Sequence, residues 1–326
     1  MASSDQAQAL WYVAPGKAEI RAETLRAPGP GEVRLTAVAS ALSRGTERLV
    51  FAGRVPESEF ERMRAPFMGG AFPYPVKYGY AMVGRVEDGP PALRGRHAFA
   101  LFPHQTAFNL AAENIIPLPD GVPPERAVLG ANMETALNAV WDGAAGPADR
   151  IAVVGAGVLG LLVARLAAGM RAEVTVVDID PQRAAIVAKL GAGFAAPDKA
   201  PENCDLVVHT SASAAGLATA LRIAGDEATV LELSWYGSDA VELPLGAAFH
   251  SRRLKLISSQ VGKVSASRRP RWDYRRRLTA ALELLRDAAL DALLAPPVAF
   301  AQLPARLPDI LTPASGVLCQ LIRYPT

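Results

Sequence analysis

The sequence predicts a two-domain α/β protein, in which a doubly wound parallel sheet is set into a β-rich unit. Three observations predict it. The chain has 326 residues, and domains of roughly 100–200 residues make two domains the expectation. Near residue 130 the pattern changes from Gly- and Pro-punctuated β-type runs to short apolar strands alternating with helical segments. Such alternation implies a parallel sheet covered by helices on both faces. The last ~35 residues revert to the β-type pattern of the N-terminal part, as expected of a split domain whose tail folds back onto that part.

The elements follow in order. "EVRLTAVAS", "YAMVGRVED" and "GRHAFAL" read as strands with turn residues between them, and "PPERAVLGANMETALNAVWDG" as one or two helices. The alternating series is "RIAVVGAG", "GLLVARLAAGM", "EVTVVDID", "PQRAAIVAKLG", "CDLVVHTS", "SAAGLATALRIA" and "ATVLELSWYG". "FHSRRLKLISSQVG" adds a strand and "RRRLTAALELLRD" a helix, while "PVAFAQLPARLPDIL" and "GVLCQLIRYP" form the β-type tail. The expected domains are 130–290, doubly wound, and 1–129 completed by 291–326.

Composition excludes several classes. Half of the residues are hydrophobic, a fifth are charged and the net charge is +2, so the chain is expected to be a soluble globular protein rather than a charge-driven nucleic-acid binder. The N-terminus lacks a basic segment followed by an apolar one, so no secretory signal is expected and the predicted location is the cytoplasm. "IAVVGAGVLGLLVARLAAGM" has the length of a membrane span, but its glycines and Arg165 favour a strand–turn–helix. The two cysteines, Cys204 and Cys319, are far apart. They rule out a four-cysteine structural zinc site in one chain and are expected as free thiols.

Gly155, Gly157 and Gly160 form a GxGxxG run with Ala156, Val158 and Leu159 between them. Alone this is a weak signal. Here a buried-strand run precedes it, a helix pattern follows it, and Asp178 ends the next strand 23 residues on. The first glycine permits the tight turn, the second lets backbone approach a pyrophosphate, and the third lets helix and strand pack closely. The helix N-terminus then favours the phosphates. Asp178 suits a ribose with free hydroxyls, predicting NAD, with NADP left possible by Arg183. Thr210, Ser211, Ser234, Trp235, Gln260 and Val261 follow later strands and are expected to complete the site at the carboxyl edge of the sheet.

These pieces, with "SRGTERLVFAG", "YGYAMVGRV" and "ENIIPLPDGVPPERAVL", carry a likeness. The chain resembles the medium-chain dehydrogenase/reductase superfamily over nearly its whole length. The resemblance implies a GroES-like β-barrel catalytic domain, an interposed Rossmann domain and a returning strand. The loop "SRGTERLVFAGRVP" is most similar to that of bacteriochlorophyllide dehydrogenases. The departures are as telling. Where zinc-dependent members carry Cys-Gly-Thr-Asp the chain has Arg44-Gly45-Thr46-Glu47. The usual His-Glu pair is Tyr80-Ala81, and the third ligand position falls near Gly130–Asn132. All three ligand positions are expected to be lost, so no zinc is expected. A site built afresh from Glu47, His97, His104 and Glu134 would lack metal-ligand spacing.

The resemblance therefore implies a zinc-independent NAD(P)-dependent oxidoreductase that moves a hydride between nicotinamide and an alcohol or carbonyl. An enoyl reductase of the same fold, or a silent dinucleotide-binding sensor or scaffold, stands as the alternative. Without a Lewis acid, hydrogen-bond donors must stabilise charge on the substrate oxygen. Tyr80 is the leading candidate, with Thr46 beside the substrate oxygen and Arg44 adding charge. Glu47 is expected to hold Arg44 or take a proton, and His104 is a proton-shuttle candidate. Glu134 and Thr135 are expected near the nicotinamide. Tyr80 as a packing aromatic and Arg44–Glu47 as an ion pair are the structural alternatives. The run "SASRRPRWDYRRRL" suggests an acidic or planar substrate through Arg268, Arg269, Arg271, Trp272 and Tyr274, or else a solvated helix entry near Asp273. A homodimer joined at the Rossmann sheet edge is the expected assembly.

Overall fold

The computed structural model describes residues 6–325, and the chain divides into two compact units, Met1–Ala131 with Leu294–Thr326, and Asn132–Leu293. Along the first unit run β1 (Gln6–Ala14), β2 (Lys17–Thr24), β3 (Glu32–Leu42), α1 (Arg44–Phe51), β4 (Gly69–Gly70) and β5 (Val76–Lys77). They are followed by β6 (Met82–Asp88), β7 (His97–Ala100), β8 (Ala107–Ala111), β9 (Ile116–Pro117) and α2 (Pro124–Ala127). The second unit contains α3 (Gly130–Asp142, which enters from the first), β10 (Arg150–Val154), α4 (Val158–Gly169), β11 (Glu173–Val177), α5 (Ala184–Lys189) and β12 (Gly193–Ala195). It continues through β13 (Cys204–His209), α6 (Ala214–Ile223), β14 (Ala224–Glu232), β15 (Lys255–Ser258) and α7 (Tyr274–Leu284). The chain then returns to the first unit as β16 (Leu294–Ala299), α8 (Leu303–Leu311) and β17 (Cys319–Arg323).

The first unit is a barrel-like arrangement of two sheets, β2-β1-β5-β4 and β16-β17-β3-β6-β7-β9, with β8 also on β3. Alternation decides which face is buried: in β3 Val33, Leu35, Ala37 and Ala39 point inward while Glu32, Arg34 and Thr36 are more accessible. The returning β17 pairs antiparallel with β3, Ile322 opposite Ser40. The tail is not purely β-type. "LPARLPDIL" forms helix α8, with Pro304 in its first turn and Pro308 inside it. Leu303, Leu307, Ile310 and Leu311 fall on one buried stripe, so burial of an amphipathic face overrides the second proline.

The second unit is a six-stranded parallel sheet of order β12-β11-β10-β13-β14-β15. Its central strands are covered on both faces, which is why "RIAVV" reads as a continuous apolar run. Ala152, Val154, Val177, Val207, Val230, Leu217 and Leu221 form its buried core. The strand order reverses between β10 and β13, and such a switch point opens a crevice beyond the carboxyl ends of those strands. Among the described residues no helix is long and apolar enough to cross a membrane.

Candidate active site and dinucleotide cradle

β10 ends at Val154 and the chain turns through Gly155, whose φ of +112° is left-handed territory that disfavours a side chain. A Cβ on Gly160 would stand 2.1 Å from the Gly155 carbonyl, so only glycine lets α4 pack on the turn. Thr210, at the end of β13, donates its hydroxyl to the Gly155 carbonyl at 2.9 Å and the Val154 carbonyl at 3.2 Å. Thr210 is thus a buttress of the turn. Gly157 differs: it is the N-cap of α4, and a Cβ there would meet nothing within 4 Å. Its open space, beside first-turn N–H groups without intrahelical acceptors, is a cradle that fits a pyrophosphate. Val158 and Leu159 open that helix.

Asp178 follows β11 and shapes the same turn. Its carboxylate accepts from Ala156 N at 2.6 Å and from Asp180 N at 2.8 Å. Arg183 forms an ion pair with Asp180 at 3.3 Å. Across the switch point, Ser234 Oγ accepts from Ala212 N at 3.0 Å, tying the β13 and β14 ends together. Trp235 is half-buried beside it. Gln260 is exposed, and its side-chain oxygen accepts from Gly262 N at 2.6 Å.

Glu134 does not present its carboxylate as a catalytic group. It is buried at 5% exposure and accepts from Arg277 Nε at 3.0 Å, Arg277 itself being 1% exposed. Arg277 also donates to Asn138 Oδ1, Lys263 O and Val261 O, so its role is to bolt residues 261–263 to α3. Burial raises the Glu134 carboxyl above its usual range despite the pull of Arg277. Thr135 is the next residue of α3. The basic run is ordered on tryptophans: Arg268 lies over Trp141, Trp141 packs on Trp272, and Arg276 lies over Trp272. Asp273 caps α7, accepting from Arg276 N.

In the first unit, "SRGTERLVF" is a helix rather than a loop. Glu47 makes it one. Its Oε1 accepts from Ser43 N at 2.7 Å, closing the N-terminus in the manner of a capping box, while Leu49, Val50 and Phe51 are buried. The expected Arg44–Glu47 pair does not form. The Arg44 guanidinium donates to the carbonyls of Ile310, Thr312 and Val317 and so satisfies the end of α8. Glu47 is fully buried and accepts instead from Tyr12 at 2.7 Å and from His104 Nε2 at 3.1 Å. His104 Nδ1 meets Ser40 Oγ at 2.8 Å, and Ser40 Oγ meets Tyr324 OH at 2.8 Å. An acceptor carboxylate fixes the proton on Nε2, so Tyr324 donates to Ser40 and Ser40 to His104. His104 is 0% exposed with both nitrogens engaged, which removes it as a solvent-facing shuttle. Gly79 makes room for it, since a Cβ there would stand 2.8 Å from the imidazole.

Tyr80 sits above this buried layer with part of its ring accessible. Its O–H donates to Ser43 Oγ at 2.5 Å, and the Thr46 hydroxyl is hydrogen-bonded to the same phenol. Burial pushes the Tyr80 pKa up to about 12, against the opposing pull of those two hydroxyls. The phenol is therefore a proton-bearing donor throughout the neutral range. The result is a cluster of three hydroxyls, Ser43, Thr46 and Tyr80. Among the described residues, no group of three or more His, Cys, Asp or Glu side chains converges to hold a metal ion.

Sequence reading missed Ser43, Tyr12 and Tyr324. It also missed His209, Glu232 and Tyr236 at the strand ends of the second unit. His209 lies at the end of "DLVVH", one position before Thr210, and Glu232 at the end of "VLE", two positions before Ser234. That shared position at adjacent parallel strand ends was the available signal.

Comparison with known proteins follows the same division. The model of the alanine dehydrogenase/PNT C-terminal domain family matches residues 131–233. Over the whole chain the fold is similar to those of several solved dehydrogenases. L-idonate 5-dehydrogenase from Escherichia coli K-12 is 12% identical, with 98% of each chain covered and a TM-score of 0.79. A short chain alcohol dehydrogenase from Escherichia coli CFT073, complexed with NADH, is 14% identical, covering 98% of this chain and 100% of that one at a TM-score of 0.77. The 2R,3R-butanediol dehydrogenase from Bacillus subtilis is 17% identical, covering 98% and 100% at 0.76.

Proposed function

We propose that the protein is a zinc-independent NAD(P)-dependent oxidoreductase acting on an alcohol or carbonyl substrate. The observation that carries this reading is the Ser43–Thr46–Tyr80 hydroxyl cluster, in which Tyr80 stands where the resemblance places a zinc ligand. The Gly155–Gly160 turn, the open face of Gly157 and the first turn of α4 would hold the dinucleotide, with Asp178 favouring NAD. A bound nicotinamide supplies or accepts the hydride. Tyr80 turns its one O–H from Ser43 to the substrate oxygen and stabilises the charge that develops there, while the Ser43 and Thr46 hydroxyls donate to the phenol oxygen. Ser43 and Thr46 orient the phenol and replace its proton. Glu47 holds Ser43 in place through the backbone N–H and rests on His104 and Tyr12.

The exposed Arg268, Arg269 and Arg271 and the likeness of residues 43–56 to bacteriochlorophyllide dehydrogenases favour a planar, acidic substrate. The open edge of β15, last in its sheet, favours a homodimer, and two free buried thiols, Cys204 and Cys319, favour a reducing cytoplasm.

NADH fluorescence enhancement followed by turnover on a panel of alcohols, ketones and enones tests the reading. Binding with turnover of an alcohol or ketone supports it. Binding without any turnover replaces it with a dinucleotide sensor, and turnover of enones alone with an enoyl reductase. One tightly held zinc per purified chain would overturn the zinc-independent part.

A further inference from the structure

The carboxyl ends of β13 and β14 hold a side-chain array that hydride transfer does not use. Ser211 Oγ lies 2.6 Å from His209 Nε2, and His209 Nδ1 lies 2.7 Å from Glu232 Oε2. Glu232 is further fixed by Ser234 N, which donates to Oε1 at 2.6 Å, and by Tyr236, which donates to Oε2 at 3.0 Å. Burial opposes ionisation of Glu232, yet hydrogen bonds from His209 and Ser234 outweigh it and hold the carboxyl below its usual range. A carboxylate on Nδ1 sets the tautomer: Nδ1 carries the proton and the Nε2 lone pair accepts from the Ser211 hydroxyl. His209 is 0% exposed, whereas Ser211 is exposed to solvent.

The surrounding backbone is shaped around the serine. Ala212, immediately after it, has a φ of +51°, a left-handed conformation unusual for a residue with a side chain. A Cβ on Gly216, in the first turn of α6, would stand 2.2 Å from Ser211 Oγ and 2.8 Å from His209 Nε2, so glycine alone admits the pair. The N–H groups of Ala214 and Ala215 open the same helix and have no acceptor within it.

We propose that Ser211 is an activated nucleophile, with His209 as its base and Glu232 orienting that base, and that it takes an acyl group from small activated esters. A nucleophile bonded to a base that is itself oriented by a third group is what such chemistry requires, whatever the fold. Ser211 Oγ attacks the ester carbonyl carbon, forming a C–O bond while its proton passes to His209 Nε2. Collapse breaks the bond to the leaving oxygen, which departs as the alcohol with that proton. Water then attacks the acyl-serine, giving its proton to His209, and the carboxylic acid leaves as serine is restored. The first-turn N–H groups of α6, which have no acceptor within the helix, would supply donors for the transient oxyanion. Ser211 reacts in this way whether or not the chain turns over a dinucleotide.

The test uses full-length protein without added dinucleotide, an alkyl fluorophosphonate and p-nitrophenyl acetate. The expected result is one phosphonyl group per chain, located on Ser211 by mass spectrometry, and a burst of p-nitrophenolate release that Ser211→Ala abolishes. His209→Gln should slow labelling by about 10²-fold or more. Should that buried substitution fail to fold by circular dichroism, Glu232→Gln is read for the same slowing. Labelling that is absent, falls on another serine, or keeps its rate in the folded base variant overturns the proposal.

Discussion

Replacing Arg277 by methionine should destabilise the second unit more than any surface change, and the structure sets the size. Arg277 fills a buried slot and donates to four acceptors: Glu134 at 3.0 Å, Asn138 at 2.6 Å, Val261 O at 2.6 Å and Lys263 O at 3.2 Å. Methionine fills much of the volume and satisfies none of them. Glu134 is left as an unpaired buried carboxylate, and breaking one side of such a pair costs about 3–5 kcal/mol. For a domain of this size the loss lowers Tm by about 6–20 °C. The sign of the pH dependence follows from Glu134. Its pKa is already raised by burial, and losing Arg277 raises it further. A raised carboxyl favours the fold below its unfolded pKa, and that contribution is lost as pH rises through the folded value. The variant's deficit should therefore be smaller at pH 5 than at pH 8, and Glu134→Gln in the same chain should restore part of it. Thermal melts followed by circular dichroism at the two pH values measure this. A Tm within about 2 °C of the parent at pH 8 would refute the bolt.

The last two glycines of the turn should respond differently. Gly160→Ala drives a Cβ against backbone and should cost stability, whereas Gly157→Ala should melt like the parent. It should nevertheless lose NADH affinity through about 1–3 kcal/mol of overpacking, roughly 5- to 150-fold in Kd by fluorescence titration. His104→Phe should cost about 1–3 kcal/mol in urea unfolding by leaving Ser40 and Glu47 each short of a partner. The same variant should keep the parent's pH–rate profile, because His104 is buried with both ring nitrogens engaged. Asp178→Asn should loosen the Ala156 turn, weaken NADH and narrow its preference over NADPH. An unchanged ratio of the two dissociation constants would assign cofactor choice to Arg183.

The fold is legible in the sequence because its signals are local. The glycine turn, the apolar run before it and Asp178 after it lie within about thirty residues, the span of one strand–helix–strand unit. The site is less legible because its contacts are long-range. Glu47 meets His104 across 57 positions and Tyr12 across 35, and Glu134 meets Arg277 across 143. No spacing rule reaches so far. Arg44 and Glu47, neighbours on one helical turn, invite an ion pair. The end of α8 and the His104 layer instead supply acceptors and donors that satisfy each more fully. The tail reads as β-type because two prolines argue against a helix whose stability comes from its buried stripe. Thr210 does stand at its strand end, but its hydroxyl faces the turn it supports.

The central claim is that the Tyr80 phenol stabilises the substrate oxygen, and kcat of Tyr80→Phe on the best substrate of the panel tests it most directly. The phenyl ring preserves the packing against Tyr78 while removing the O–H that Ser43 and Thr46 orient. The account predicts a fall in kcat of about 10²- to 10³-fold with NADH affinity unchanged. An unchanged kcat in a variant that still binds NADH would contradict it and leave Tyr80 as an aromatic that only packs against Tyr78.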